Sequence, residues 1–510
     1  MLASVPSATL LGVEGHPVAV EVHVAPGLPG FTIVGLPDAA CREARDRVRA
    51  AFVSSGLAWP SRRVTVNLAP SGIRKAGAGL DLPIAVALLA ATGAVDGRAA
   101  EGCAFLGELG LDGSVRPVPG VLALVEAAAA TAVVVPVGSL AEARLVPGRR
   151  ALGARTLLGV VEALGTGDGW VEATSSVAGD GRDARADPAA PDLSAVHGQL
   201  VARRALEVAA AGGHHLLLSG PPGSGKTMLA RCLPWLLPAL GPAEALETTK
   251  VHSAAGLRLP PGGLVERPPF RAPHHSSSAV ALLGGGSGLM RPGEVSLATN
   301  GVLFLDELGE FPPSVLETLR QPLEDGAILV ARARASVSLP ARFLLVAATN
   351  PCPCGLGDAK GACRCSPSMM ERYARRLSAP LLDRLDLLVA VRRVPERELL
   401  DPARAERSSA VAARVAAARR RAAARGLRCN AELSPGRLDD LAPLSRPARR
   451  LLEARLRSGT LTARGLDRVR RVALTLTDLD GAEPPITEEH LAVALELRAG
   501  GDLLVGRGAP

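Results

Sequence analysis

The chain has 510 residues, 47% of them hydrophobic, with a net charge of +8 and a pI of about 9.4. That length allows two to four domains with ordinary buried cores, and eight cysteines are too few for a disulfide scaffold. Only four of the 58 basic residues are lysines (Lys75, Lys226, Lys250, Lys360), so the basic excess reads equally as a polyanion-binding surface and as the codon bias of a GC-rich genome.

The opening "MLASVPSATLLGVEG" has neither a basic leader nor a cleavage site. "VAVEVHV" alternates with period two and predicts a strand. "PDAACREARDRVRAAFVSSG" predicts an amphipathic helix opened by Pro37 and closed by Gly56. "RRVTVNL" and "CAFLGEL" predict strands, with "DLPIAVALLAATG" a buried helix between them. The apolar run "VLALVEAAAATAVVVPVGSL" carries Glu126 and Pro136, and predicts a helix and a buried strand, not a membrane span. A cytoplasmic, non-membrane protein is expected. Residues 1–170 then form one α/β domain, the polar stretch 171–192 a linker, 193–395 a second α/β domain, and 396–510 a helical region.

"HHLLLSGPPGSGKTMLARCL" predicts strand, loop and helix in succession. Its loop, Gly220, Pro221, Pro222, Gly223, Ser224, Gly225, Lys226 and Thr227, fits a polyphosphate cradle. Backbone N–H groups face the phosphates, Lys226 reaches the β- and γ-phosphates of ATP, and Thr227 ligates Mg²⁺. "NGVLFLDELGEF" predicts a buried strand ending in Asp306, a second Mg²⁺ anchor, and Glu307, which polarises the attacking water. "ARFLLVAATNPCPCG" ends another strand in Asn350, placed to sense the γ-phosphate or to orient the attacking water. "SAPLLDRLDLLV" sets Arg384 between Asp383 and Asp386. There it reads either as an arginine finger for a neighbouring subunit or as half of a surface ion pair.

These motifs occur in order with "FRAPHHSSSAVALLGGG", "RPGEVSLATNGVLFLDELGEF", "LRQPLEDG", "ATNPCPCG" and "LLDRLDL". The whole resembles the magnesium-chelatase-like AAA+ ATPases and, more narrowly, the YifB/ComM family. "GLPGFTIVGLPDAA", "VNLAPSGIRKAGAGLDLPIA" and "LTARGLDRVRRVALTLTDLDG" extend the resemblance over nearly the whole chain. It implies a P-loop AAA+ α/β core with a helical lid, assembled as a homo-hexameric ring. A helix-2 insert at about 270–288 and a hairpin at about 326–342 point into the pore. Asn350 takes the sensor-1 role, Arg384 the finger role and Arg464 the sensor-2 role, with Arg468 as the competing choice. Thr462 stands where many relatives have Ser, and Leu466 where they have an aromatic residue.

"RKAGAGLDLPIAVALLAATG" and "GELGLDGSVRPVPGVLALVEAA" resemble the proteolytic domain of Lon. The resemblance implies an N-terminal Lon-protease-like (ribosomal S5 domain 2-like) fold. Gly79 falls at the position of the nucleophilic Ser and Leu122 at that of the Lys, so no peptidase chemistry is expected.

"CPCGLGDAKGACRC" brings Cys352, Cys354, Cys363 and Cys365 together as C-x-C-x₈-C-x-C. Four thiolates there fit a structural Zn²⁺, the alternative being reduced thiols on a loop. His214–His215 read as structural, and His274–His275 as DNA-facing residues of the insert. Residues 392–428 hold eleven arginines and four acids, a net of +7. "AARVAAARRRAAARGLR" within them reads as a helix charged nearly all round, either solvated or facing phosphates.

The ComM-like resemblance implies an ATP-hydrolysing DNA translocase or helicase that acts on single-stranded or branched DNA, by branch migration in recombination or natural transformation. With 2% aromatics, base stacking is a poor grip, and backbone contacts by Arg332 and Arg334 are expected instead. The alternatives are a chaperone-like motor with a protein client and, behind it, a metal-chelatase ATPase subunit.

Overall fold

The computed structural model describes residues 1–172, 191–286, 290–332, 335–355, 363–377, 379–395 and 406–499. Residues 173–190 of the expected linker, residues 287–288 of the insert and Arg334 lie outside them.

The N-terminal unit is built on a four-stranded sheet. Leu2–Leu11 pairs antiparallel with Glu14–Ala25, which pairs antiparallel with Arg63–Ala69; Gly30–Val34 lies parallel to the last at the edge. Alternation sends Val18, Val20, Val22 and Val24 inward. The helices Ala39–Ser54 and Asp81–Thr92 bury their apolar residues in the same cluster. The first helix starts two residues later than Pro37 suggests, because Asp38 caps it by accepting from the Cys41 N–H at 2.8 Å. "CAFLGEL" is two short strands, Cys103–Phe105 and Glu108–Leu109, broken at Gly107 with φ +157°. The first of these joins Ala132–Pro136 and Arg150–Ala154 in a parallel three-stranded sheet. Val171 and Gly153 exchange two backbone hydrogen bonds, so the unit runs on to residue 172.

Five parallel strands form the central sheet of the second unit. Their spatial order is Phe270–Arg271, Val302–Leu305, Leu344–Thr349, Leu216–Ser219 and Leu387–Ala390. Such a sheet is covered on both faces, which is why "VLFL" and "LLVAAT" are apolar throughout. Leu216–Ser219 comes first in the chain yet lies inside the sheet, with later strands on both sides. The crevice beyond its C-terminal end is therefore the place for a ligand.

The helices Ser408–Ala424, Arg446–Arg457, Ala463–Leu479 and Glu488–Ala499 share one apolar cluster with this sheet. His214 fastens the two parts: it is fully buried, with Nε2 2.8 Å from Thr475 Oγ1 and Nδ1 3.5 Å from Asp386. The Arg-rich helix differs from expectation. It buries a stripe of Val411, Val415, Ala418 and Ala422. Three of its arginines are engaged by the chain itself: Arg414 pairs with Glu207 and Glu406, Arg419 donates to the Ala210 carbonyl, and Arg421 pairs with Glu483, while Arg420 is exposed. These three guanidinium groups are taken up by partners within the chain and are not an open phosphate-binding face.

The two α/β units are joined by packing. Leu10, Leu122, Val251, Leu297, Phe311 and Val337 belong to one continuous apolar cluster. The Gly120 N–H donates to the Ser253 carbonyl at 2.9 Å. One oxygen of Glu142 accepts from the Leu122 N–H at 2.7 Å and also from the Ser253 hydroxyl. Among the described residues no helix is long and apolar enough to cross a membrane.

Candidate active site

Residues 220–225 connect Leu216–Ser219 to the helix Lys226–Leu236, whose first two residues complete the phosphate loop. Gly223 and Gly225 take φ +74° and +89°, a left-handed backbone that side chains resist. Gly220 passes so close to the next strand that a Cβ would lie 2.1 Å from the Val391 carbonyl oxygen.

Lys226 folds back over this loop. Its ammonium donates to the Gly220 and Pro221 carbonyls at 2.6 and 2.9 Å, and to Asn350 Oδ1 at 3.3 Å. Burial lowers its pKa, opposed by Asp306 and Glu307. The Thr227 hydroxyl donates to Asp306 Oδ2 at 2.7 Å. The structure thus gathers Lys226, Thr227, Asp306 and Asn350, from three separate segments, at the C-terminal ends of adjacent strands. The Thr227 hydroxyl and Asp306 carboxylate are hard oxygen donors side by side, which suits an octahedral Mg²⁺ that keeps several waters.

Glu307 takes the left-handed backbone at φ 52°, ψ 48°, unusual for a residue with a Cβ. Its carboxylate does not join Asp306. It reaches the segment after Phe270–Arg271, where His275 Nδ1 lies 3.1 Å from Oε2. His275 rests on His274 with ring centres 4.0 Å apart. The histidine pair expected to face DNA is therefore tied, through His275, to the candidate water-polarising acid.

Arg384 and Arg464 make no hydrogen bond to residues 220–227 among the described residues. Arg384 pairs with Glu324 and donates to the Pro380 carbonyl at 2.7 Å, so its partner is neither neighbouring aspartate. Those aspartates are taken: Asp383 by Arg464 at 3.5 Å and Asp386 by Arg468 at 3.9 Å. Arg464 is 79% exposed, whereas Arg468 is 16% exposed and also donates to the Leu385 carbonyl. Of the two sensor-2 choices, Arg464 is the more exposed.

Sequence reasoning missed a cavity of about 620 Å³ beside the loop, lined by Gln199, Leu200, Val201, Leu388, Arg392 and Pro395. Gln199 ties this cavity to the loop by donating to the Ser224 carbonyl at 3.2 Å and to that of Arg392. Leu200 is 81% exposed at the first position of its helix. An apolar pair where a helix start normally carries polar residues was the available signal.

The sulfurs of Cys352, Cys354, Cys363 and Cys365 all lie within 4.8 Å of one another, two residues beyond Asn350.

The chain is similar along nearly its whole length to curated proteins. It is 47% identical over 503 residues to an uncharacterized protein of Mycobacterium tuberculosis, covering 97% of this chain and 98% of that one. It is 42% identical to competence protein ComM of Haemophilus influenzae, covering 98% and 97%. With the uncharacterized protein YifB of Escherichia coli it shares 41% identity, covering 99% and 98%. The chain belongs to the YifB/ComM magnesium-chelatase-like family. Three family models agree: "Magnesium chelatase, subunit ChlI" matches residues 192–399, "Subunit ChlI of Mg-chelatase" residues 20–139, and "Magnesium chelatase, subunit ChlI C-terminal" residues 405–498. Membership in this family, with the parallel α/β sheet and the helical C-terminal region, fits an AAA+ type of core and points to an ATPase that uses ATP and Mg²⁺.

Proposed function

We propose that this protein is a ring-forming, ATP-driven DNA translocase that moves branched or single-stranded DNA during recombination or DNA uptake. The meeting of Lys226, Thr227, Asp306 and Asn350 at the C-terminal ends of adjacent strands is the observation that carries the motor. ATP lies along residues 220–227, its adenine in the cavity lined by Gln199, Leu200 and Val201. Lys226 leaves the Gly220 and Pro221 carbonyls for the β- and γ-phosphates. Thr227 and Asp306 would hold Mg²⁺, which when bound offsets the phosphate charge. Glu307 takes a proton from the water that attacks the γ-phosphorus, and Asn350 orients that water. Arg384 of an adjacent subunit offsets the charge that develops in the transition state, and Arg464 follows the nucleotide from the lid.

Support for DNA as the cargo comes from the 42% identity to a protein named for competence. The hairpin Ala327–Arg332/Ala335–Pro340 presents the backbone of Arg332 at its tip, opposite Ala335. Arginines there grip phosphates without reading sequence. The N-terminal unit serves as a non-peptidase scaffold: Gly79 has no side chain and Leu122 is buried. A cytoplasmic setting accompanies this reading.

A protein client is the second reading. Leu28 and Leu36, 89% and 50% exposed, flank the edge strand Gly30–Val34 and offer an apolar docking strip. Branch migration of a four-way DNA junction tests the choice. Wild-type protein with ATP should resolve the junction into duplexes, and Lys226→Ala should not. An inert junction alongside an ATP-dependent change in a protein client would favour remodelling.

A further inference from the structure

The nucleotide chemistry above leaves the four cysteines unused. Cys352 Sγ lies 3.3 Å from Cys354 Sγ and 3.7 Å from Cys363 Sγ, and Cys354 Sγ lies 3.6 Å from Cys363 Sγ. A disulfide needs about 2.05 Å. Tetrahedral zinc with Zn–S bonds of about 2.3 Å spaces its sulfurs about 3.8 Å apart. Four soft thiolates select Zn²⁺ over Mg²⁺ or Ca²⁺.

The position of this cluster matters more than its composition. The Gly355 N–H closes the Cys-Pro-Cys-Gly turn by donating to the Cys352 carbonyl at 2.9 Å. Gly355 has φ +78°, and a Cβ on it would lie 2.8 Å from the ring carbons of Pro222. The turn therefore rests on the phosphate-binding loop itself. Upstream, Cys352 is fully buried and follows Asn350 by two residues. Downstream, Ser366 caps the helix Pro367–Arg376. From that helix Tyr373 reaches Thr349 Oγ1 at 3.3 Å and packs on Gly309, just past Glu307. Both chain segments leaving the cluster thus end on residues beside the nucleotide site.

We propose that Cys352, Cys354, Cys363 and Cys365 bind one Zn²⁺, and that this ion braces the nucleotide site by fixing Asn350 and the Pro222 side of the loop. The bracing half rests on the ATPase reading given above; the metal half does not.

The test uses the full-length protein. Elemental analysis should find one zinc per chain, and replacement by Co²⁺ should give the visible bands of a tetrahedral cobalt–thiolate centre. Stripping the metal should lower kcat about tenfold, as expected for a small displacement of a positioned group. It should also weaken binding of a fluorescent ATP analogue, and Zn²⁺ but not Mg²⁺ should restore both. Cys365→Ser, at a partly exposed ligand, should reproduce the loss. Cys352 is buried and its variant is more prone to misfold, so the cobalt spectrum of the wild type stands as an independent readout. Wild-type protein without zinc or cobalt–thiolate bands, or with iron instead, overturns the metal assignment. Metal removal that leaves kcat, KM and nucleotide affinity unchanged overturns the brace. Should zinc-loaded protein hydrolyse no ATP, the motor reading fails, and nucleotide affinity with and without metal still decides the inference.

Discussion

His275 Nδ1 stands 3.1 Å from Glu307 Oε2, joining the insert after Phe270–Arg271 to the acid at the end of Val302–Leu305. The two residues are 32 positions apart and meet because their strands are parallel neighbours in the sheet. In this arrangement Glu307 is held toward the insert and away from Asp306 and Thr227. A substrate that moves the insert would release it to the attacking water. His275→Ala should therefore raise ATP hydrolysis in the absence of DNA by about two- to fivefold, the worth of one partly exposed polar contact. The ratio of stimulated to unstimulated rate should fall. An unchanged ratio would leave the contact without a coupling role.

Lys226 and Glu307 separate binding from hydrolysis. Lys226→Ala removes the ammonium that serves the phosphates, and should abolish ATPase activity together with most nucleotide affinity. Glu307→Gln keeps size and hydrogen bonding but loses the base. It should bind ATP as the wild type does and turn over at least about a hundredfold more slowly. Normal turnover by Glu307→Gln would move the base role to another residue.

Arg384 carries a prediction about assembly. Its guanidinium is mostly buried against Glu324, and no hydrogen bond leads from it to its own loop among the described residues. If it serves a neighbour, Arg384→Ala should bind nucleotide normally but hydrolyse it slowly. Mixtures of Arg384→Ala with Lys226→Ala subunits should regain activity at interfaces that combine an intact loop with an intact arginine. Failure of every mixing ratio would count against action in trans.

Glu142 makes the junction between the two α/β units pH-dependent. Burial raises its pKa above the ordinary carboxylate range, against the lowering effect of the Ser253 and Leu122 hydrogen bonds. A carboxylate raised in the folded state favours folding below its unfolded pKa, and that contribution is lost as pH rises through the folded value. At neutral pH the charge is therefore a net cost. Both hydrogen bonds fall on one oxygen, and a glutamine oxygen can accept both. Glu142→Gln should melt at the wild-type temperature or up to about 2 °C higher at pH 8, and the difference should shrink by pH 5. A lower melting temperature at pH 8 would show that the charge itself holds the junction.

The phosphate loop was legible because its residues are contiguous and each has a separate chemical reason to be there. Asp306 and Asn350 were legible because each ends an apolar run, and strand ends are where such a sheet binds ligands. The link between His275 and Glu307 was not, since it depends on which strands are neighbours. The helix Ser408–Ala424 was misread for a related reason. Its buried stripe is narrow and half alanine, and the acids that take up its arginines, such as Glu207 and Glu483, lie far off in sequence. The cavity beside Gln199 joins residues from three distant segments and has no local pattern beyond the exposed Leu200–Val201 pair.

The most direct test of the central claim is the steady-state ATPase rate of wild-type protein with single-stranded DNA, with an unfolded protein, and with a tetrapyrrole-binding partner. DNA of any sequence should stimulate hydrolysis, and the other two should not. The log of the DNA binding constant should fall by about 0.7 per phosphate contact for each tenfold rise in salt, and changing both Arg332 and Arg334 to Ala should lower the stimulated rate. Stimulation by unfolded protein, with DNA neither binding nor stimulating, would contradict the translocase account and leave a protein-remodelling motor in its place.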